Sequence, residues 1–165
     1  MGKRLLLIAL VVFVGCKGNS QEKEKKEKTQ KETAYKVNKT DAEWKAELSE
    51  MEYLVLRKAG TERAFTSDLL NIKEKGTYVC AGCGTPVFRS EYKYESGSGW
   101  PSFDREIEGN VAFDVDYKIG VARTEEHCAT CGGHLGHVFN DGPRNTTGKR
   151  HCINGAALDF VADNK

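Results

Sequence analysis

Six cysteines occur among the 165 residues of the chain, and their spacing separates them by the chemistry each can perform. Four of them form two Cys-x-x-Cys pairs, Cys80 with Cys83 and Cys128 with Cys131, and each pair is followed by glycine. Two intervening residues let both thiolates of a pair reach one metal ion, while a following glycine lets the backbone turn toward the sulfurs. We therefore predict a closed, structural zinc site with four cysteine ligands.

Two other interpretations of these cysteine pairs stay open. An extracytoplasmic location would favour a pair of disulfides. A thioredoxin-like redox motif is the other alternative, but it requires a βαβ context that the sequence does not indicate. The duplicated spacing with trailing glycines favours zinc.

Cys152 is the one thiol of the folded region that the metal site leaves over. A leftover cysteine is often only a small buried apolar residue, but the neighbours of Cys152 favour a reactive role. If residues 150–154 form a strand, then Arg150, Cys152 and Asn154 share one face and His151 points away. A guanidinium beside the sulfur favours the reactive thiolate.

His134 and His137 are the candidates for proton transfer near this thiol. Their three-residue spacing places them on opposite faces of a regular strand. The glycines around them (132, 133 and 136) can relax that constraint. A hydrogen-bonded structural role is the alternative for His134.

The elements that position these residues are predicted to be mainly β. Thr40 with Glu43 and Ser49 with Glu52 have the pattern of helix capping boxes, so two short helices precede the sheet region. The second helix is expected to close at Gly60, and a further helical turn is expected to be capped at Ser67. Strand-like runs punctuated by turn residues follow, at 77–79, 86–88, 111–117, 120–124, 135–139, 150–154 and 158–161. An antiparallel β-domain this small needs the metal site to support its core.

The N-terminal region has the pattern of an export signal. Lys3 and Arg4 precede an apolar run at 5–14, which is too short to span a bilayer but suits a signal peptide. Because the run ends at Cys16 after a glycine, residues 1–16 resemble a bacterial lipoprotein signal, with a plain secretory signal as the alternative. Residues 17–39 are predicted to form a charged flexible tether. The protein would then be an extracytoplasmic lipoprotein of the bacterial cell envelope, held on its membrane by lipidated Cys16.

Five motifs along residues 63–161 together resemble one known family, the zinc-containing B-type methionine sulfoxide reductases, or peptide-methionine (R)-S-oxide reductases. The motifs are GTYVCAGCGTP at 76–86, SGSGWPSF at 96–103, RTEEHC at 123–128, GHLGHVF at 133–139 and RHCING at 150–155. The resemblance implies that residues 40–165 are a reductase domain of two antiparallel β-sheets with peripheral N-terminal helices. It also implies repair of oxidised proteins under oxidative stress.

The resemblance further implies how the site works. Cys152 would attack the sulfoxide sulfur and become a sulfenic acid, which a thioredoxin-like thiol donor would reduce. His137 and His134 would handle the sulfoxide oxygen and its protons, while Arg150 and Asn154 would position the thiolate. Trp100 would lie against the S-methyl group and Phe139 would wall the pocket. A core position is the alternative for Trp100, and the protein is expected to act as a monomer.

Two positions depart from the family pattern. Ser98 stands where many members have their resolving cysteine, so the sulfenic acid would be reduced by an external thiol, by a zinc-site cysteine or by unlipidated Cys16. His151 stands where the family usually has an aromatic residue. The competing hypothesis is a non-catalytic zinc-ribbon-like binding module. A formal net charge of +1 argues against a nucleic-acid partner that needs a broad basic surface.

Overall fold

The computed structural model describes residues 35–163. The predicted signal peptide, the lipidation site at Cys16 and the tether as far as residue 34 therefore lie outside the described residues. Where it is described, the end of the predicted tether contacts the domain: the Val37 N–H donates to the Thr130 carbonyl at 3.0 Å. None of the helices found between residues 35 and 163 combines the length and apolar character needed to cross a membrane.

Two short helices open the fold, α1 (Asp41–Glu47) and α2 (Glu50–Lys58). Both begin with the predicted capping boxes, in which a hydroxyl at the N-cap and a glutamate three residues later satisfy each other's backbone N–H groups. The end of α2 differs from the prediction. Ala59, not Gly60, takes the left-handed conformation there, with φ 48°, and the Gly60 N–H donates to the Leu54 carbonyl.

The strands that follow, up to residue 163, form two antiparallel sheets, which confirms the predicted fold class. The smaller sheet has the order β2-β1-β9, with β1 at Gly76–Cys80, β2 at Pro86–Arg89 and β9 at Leu158–Ala162. The larger sheet has the order β3-β4-β8-β7-β6-β5. Its strands are β3 (Lys93–Tyr94), β4 (Ser102–Phe103), β5 (Val111–Asp116), β6 (Arg123–Cys128), β7 (His134–Phe139) and β8 (Arg150–Ile153). Within the described residues, a 3₁₀ turn at Asp68–Leu70 lies between α2 and β1, and two others, at Ser90–Tyr92 and Gly155–Ala157, join consecutive strands.

The strand predictions differ from the structure in two places. The run predicted at 120–124 is mostly turn, and β6 instead begins at Arg123 and continues to Cys128. The two-residue strands β3 and β4 were not predicted, because two residues carry no periodicity. The turn capped at Ser67 is present, with the Ser67 hydroxyl accepting from the Leu69 N–H.

Aromatic residues from both sheets and side chains of the two helices meet in the core. Phe88 of β2 stacks on Phe103 of β4 with ring centroids 4.4 Å apart, and Tyr78 of β1 meets the edge of the same ring. Trp44 and Leu56 carry the helices into this core. Burial of this apolar surface fixes the two sheets against each other.

Candidate active site and metal centre

The four paired cysteines converge between the two sheets. Cys80 ends β1 in the small sheet and Cys128 ends β6 in the large sheet, with Cys83 and Cys131 in the turns that follow. All four Sγ atoms lie within 4.8 Å of one another, with 3.7 Å between Cys80 and Cys131 and 3.5 Å between Cys83 and Cys128. A disulfide needs about 2.05 Å, whereas tetrahedral zinc with bonds of about 2.3 Å separates its sulfurs by about 3.8 Å. The cluster therefore fits a metal ion with four sulfur ligands.

The turns of the two cysteine pairs have the same backbone geometry. Gly84 and Gly132 have φ values of 71° and 70°, which glycine adopts without strain. Their N–H groups donate to the carbonyls of Cys80 and Cys128 at 2.7 and 2.8 Å. As predicted from the trailing glycines, each backbone folds around its pair of sulfurs.

Cys152 lies on β8, between β4 and β7. Its cross-strand partners are Ser102 on one side and His137 on the other, and the Ser98 hydroxyl lies 3.7 Å from its Sγ. It opens into a cavity of about 120 Å³, lined by Thr61, Trp100, Arg123, Gly136, His137, Phe139, Cys152 and Asn154. Sites for drug-sized ligands measure roughly 300 Å³ or more, so this cavity suits the end of one side chain.

Burial and the neighbouring Arg150 guanidinium act in opposite directions on the ionisation of Cys152. Burial raises the pKa of the Cys152 thiol, and the Ser98 hydrogen bond and the Arg150 charge offset only part of that rise. The Arg150 guanidinium is held by Asp141 in a bidentate pair at 2.8 and 2.9 Å and lies 4.5 Å above the Phe139 ring. At neutral pH the resting group is therefore a thiol.

His134 and His137 lie together, because β7 departs from the regular strand in which their three-residue spacing would place them on opposite faces. Glu126 pairs with Gly136 while the next residue of β6 pairs with His134, so Leu135 is one extra residue in β7. Such a bulge shifts the alternation of side chains by one position. The two imidazole rings are consequently in edge contact, 5.4 Å apart.

His137 is oriented by a buried carboxylate that the sequence did not single out. Its Nε2 lies 2.8 Å from the Asp116 carboxylate, which also receives the Lys118 N–H at 2.7 Å and the Arg123 guanidinium. These donors hold the pKa of Asp116 well below its usual range. An ionised carboxylate accepts only, so His137 carries its proton on Nε2 and leaves Nδ1 free.

Burial lowers the pKa of His137 below its ordinary 6.5, although Asp116 opposes the shift. His137 is therefore neutral at pH 7 and can take up a proton. His134 is not among the residues that line the cavity. Its Nδ1 instead bonds the Glu125 carboxylate at 2.6 Å, and its ring packs against that of His137.

Glu62, another residue that the sequence did not single out, joins the remaining parts of the site. Its carbonyl accepts the Trp100 indole N–H at 3.2 Å, and its N–H donates to the Asn154 side chain at 3.1 Å. The Asn154 amide in turn donates to the Leu135 carbonyl at 3.0 Å. The Glu62 carboxylate accepts the backbone N–H groups of residues 155 and 156. Trp100 and Asn154 are thus fixed on the cavity wall through one residue 38 positions before Trp100.

His151 points away from the cavity, as strand alternation predicts. It is buried, with Nδ1 2.6 Å from the Glu126 carboxylate and Nε2 3.4 Å from Glu106. Burial raises the pKa of Glu126. The imidazole therefore has partners on both sides within the core and takes no part in the cavity.

Only the strand pairing identifies Asp116 and Arg123 as residues of the site. Charged residues are common on the exposed faces of strands such as β5 and β6, so their presence in the sequence does not indicate a function. Asp116 and Arg123 are direct partners across the hairpin, which brings both toward His137. Glu62 lies in an irregular segment before β1 and carries no motif at all.

Comparison with known proteins gives a consistent result. A family model described as the SelR domain matches residues 48–162. The chain is 57% identical over 127 residues to a protein of Leptospira interrogans named peptide methionine sulfoxide reductase MsrB, which covers 76% of this chain and 96% of that protein. Proteins of the same name from Leifsonia xyli and Acinetobacter baumannii are 47% and 51% identical over 132 and 131 residues. Each of these matches covers 79% of this chain, with 95% of the first protein and 94% of the second.

Proposed function

Because the chain belongs to the family of B-type peptide methionine sulfoxide reductases, we propose that it reduces the R epimer of methionine sulfoxide to methionine, free or in proteins. The observation that carries the proposal is the Cys152 thiol, which opens into a side-chain-sized cavity opposite a neutral His137. A non-catalytic binding module has no need of this arrangement. The relatives described above are peptide methionine sulfoxide reductases by name.

The reaction is an oxygen transfer between two sulfur atoms. The sulfur of Cys152 attacks the sulfoxide sulfur, the S–O bond of the substrate breaks and an S–O bond forms on Cys152. The balance is Cys152–SH plus R–S(O)–CH₃ giving Cys152–SOH plus R–S–CH₃. The substrate sulfur is reduced by two electrons and the cysteine sulfur is oxidised to a sulfenic acid.

His137 moves the proton in this step. Neutral His137 accepts the thiol proton at Nδ1, which makes Cys152 a nucleophilic thiolate. The imidazolium, stabilised by Asp116, then gives that proton to the sulfoxide oxygen as the S–O bond breaks. His134 supports the ring of His137 in the position that the transfer requires.

The cavity walls position the methyl sulfoxide. The indole of Trp100 and the ring of Phe139 supply an apolar surface for the S-methyl group, since thioether carbon and sulfur pack well on aromatic faces. Asn154 fixes the loop at residue 62 against β7. Arg150 places its charge near the sulfur and favours the thiolate when the proton leaves.

Regeneration of Cys152 depends on a thiol from outside the domain. The Ser98 hydroxyl lies 3.7 Å from the reactive sulfur, and a serine cannot form a disulfide with it. An external dithiol of the thioredoxin type then reduces Cys152–SOH to Cys152–SH and water and becomes a disulfide itself. A long-lived sulfenic acid is the expected intermediate, and trapping with a dimedone reagent would detect it on Cys152.

The four-cysteine cluster is assigned to zinc on the chemistry of its ligands. Four thiolates at tetrahedral spacing suit zinc and leave no open position, so the ion would join the two sheets and take no part in the reaction. Cys80, Cys83, Cys128 and Cys131 would hold it.

The proposed cellular location rests on the N-terminal sequence. Residues 1–16 are assigned as a lipoprotein-type signal peptide, and Cys16 as the lipidated residue that holds the reductase domain on the cell envelope. Labelling with a radioactive fatty acid should mark the wild-type protein and leave Cys16→Ser unlabelled; equal labelling of both would refute the anchor. We also propose that the protein is a monomer, and light scattering would test it.

The central experiment is turnover of separated R and S sulfoxide epimers of a methionine peptide with dithiothreitol as reductant. The R epimer should be reduced and the S epimer should not. Cys152→Ser should abolish turnover while keeping the fold and the metal. Turnover of the S epimer alone, or full activity in Cys152→Ser, would refute the proposed function.

A further inference from the structure

The loop beside Cys152 carries a continuous chain of hydroxyl groups. From the reactive sulfur, Ser98 Oγ lies at 3.7 Å, Ser96 Oγ lies 2.8 Å beyond it, and Ser102 Oγ lies a further 2.7 Å away. The Ser102 hydroxyl donates to the Trp100 carbonyl at 3.1 Å. The chain therefore runs from the nucleophile to a fixed backbone acceptor.

The ends of this chain are held firmly. Ser102 is buried within β4 and is the cross-strand partner of Cys152. At the other side of the loop, the Gly99 carbonyl accepts the Phe65 N–H at 2.8 Å. The Ser98 N–H donates to Ser96 Oγ at 3.3 Å. Between these fixed points, rotation of its hydroxyl lets Ser98 change partners without moving the backbone.

The number of hydroxyl hydrogens fixes which serine donates to which in this series of hydrogen bonds. Each serine hydroxyl donates one hydrogen and accepts through two lone pairs. Since Ser102 spends its hydrogen on the Trp100 carbonyl, Ser96 donates to Ser102 and Ser98 donates to Ser96. Ser98 then has only lone pairs to offer Cys152, which matches a resting thiol whose S–H can donate.

The same count changes when Cys152 loses its proton. A thiolate needs a donor, and Ser98 can turn its O–H from Ser96 to the sulfur. The Ser96 oxygen still accepts from the Ser98 N–H, so rotation of the Ser98 hydroxyl leaves no oxygen of the three serines without a donor. Rotation of a single hydroxyl thus satisfies both ionisation states of the nucleophile.

We propose that Ser98 is the switching hydrogen-bond partner of Cys152, accepting from the thiol at rest and donating to the thiolate during attack. Ser96 is the positioning residue that takes the Ser98 hydrogen in the resting state. This inference rests on the proposed function, because it assigns Ser98 a part in the activation of the same nucleophile. Serine at this position has a role of its own and is not merely the lack of a second cysteine.

The test is the pH dependence of Cys152 alkylation in the full-length, metal-containing protein. Isotope-coded iodoacetamide with mass spectrometry of the Cys152 peptide separates this thiol from the other cysteines. Ser98→Ala should shift the midpoint upward by about one pH unit, since a hydrogen bond to a charged group is lost. Ser98→Thr, which keeps the hydroxyl, should restore the midpoint.

Ser96→Ala is the matched control, and its expected result differs in sign. It removes the competing acceptor and leaves the Ser98 hydrogen available to the sulfur, so the midpoint should stay at or below that of wild type. A wild-type midpoint in Ser98→Ala would overturn the proposal, as would equal upward shifts in both alanine variants, which would show general loosening of the loop. No sulfoxide is present in this measurement. Failure of the parent protein to reduce sulfoxides would therefore count against the proposed function alone.

Discussion

Replacement of Asp116 by asparagine tests the proton-transfer mechanism most directly. The Asp116 carboxylate accepts from three donors, the Lys118 N–H, the Arg123 guanidinium and His137 Nε2. An amide of the same shape has one oxygen and two N–H bonds, so in either orientation it turns a donor toward a donor. It also leaves the Arg123 charge beside His137 without its counter-ion. The variant therefore lowers the stability of the His137 imidazolium.

The size of the effect follows from the type of bond. A hydrogen bond to a charged group contributes about 1.5–3 kcal/mol, and each 1.36 kcal/mol of transition-state stabilisation is tenfold in rate. We expect kcat/KM for the R sulfoxide to fall by about 10- to 100-fold in Asp116→Asn. The pKa of His137 should fall by about one to two units for the same reason.

The assay is kcat/KM against pH with a saturating external dithiol. In wild type the rate should rise as His137 loses its proton, with a midpoint below the ordinary 6.5. It should fall only as Cys152 ionises, above the ordinary 9.0. Asp116→Asn should move the acid limb to lower pH and leave the alkaline limb in place.

Asp114→Asn is the matched control, because Asp114 lies on the same strand with an exposed side chain. It should behave as wild type. An unchanged rate in Asp116→Asn, or an acid limb that moves to higher pH, would show that Asp116 does not stabilise the imidazolium.

Two further predictions concern stability. The purified protein should contain one zinc per chain by mass spectrometry. Cys128→Ser or chelation should unfold it, since structural zinc contributes about 10–16 kcal/mol in small peptides, while the usual stability of a domain is about 5–15 kcal/mol. Cys152→Ser should keep both metal and stability, and a metal-free protein with an undiminished melting temperature would contradict the zinc assignment. Gly136→Ala should destabilise the fold by about 3 kcal/mol in urea denaturation, because an added Cβ would overlap the Cys152 carbonyl. Gly148→Ala, where a Cβ meets no atom within 4 Å, should lose only the roughly 1–2 kcal/mol of its left-handed backbone, and equal losses in the two variants would contradict the packing explanation.

The parts of the site that the sequence predicted are those governed by local rules. The pairing of Cys80 with Cys83 follows from spacing within one turn, and the turn geometry is confirmed. That His151 and Cys152 point in opposite directions follows from the two-residue period of a strand. The capping boxes and most strands were predictable for the same reason, since each depends on residues close in the chain.

The parts that were missed depend on pairing between distant segments. Asp116 approaches His137 only because β5, β6 and β7 are neighbours in one sheet. Glu62 reaches Trp100 and Asn154 across long stretches of chain. The pKa of Cys152 is raised because burial, which the sequence does not reveal, outweighs the adjacent guanidinium.

The bulge in β7 connects the metal centre to the chemistry of the site. Cys128 ends β6, and its N–H donates to the Gly133 carbonyl at 2.8 Å across the β6–β7 turn. The metal would therefore hold the β6–β7 turn immediately before Leu135, the extra residue that brings His134 and His137 together. A one-residue slip in strand register reverses the face of every side chain beyond it. Holding this turn in place thus keeps His137 on the Cys152 face, so an ion that takes no part in the reaction would still determine which histidine meets the thiol.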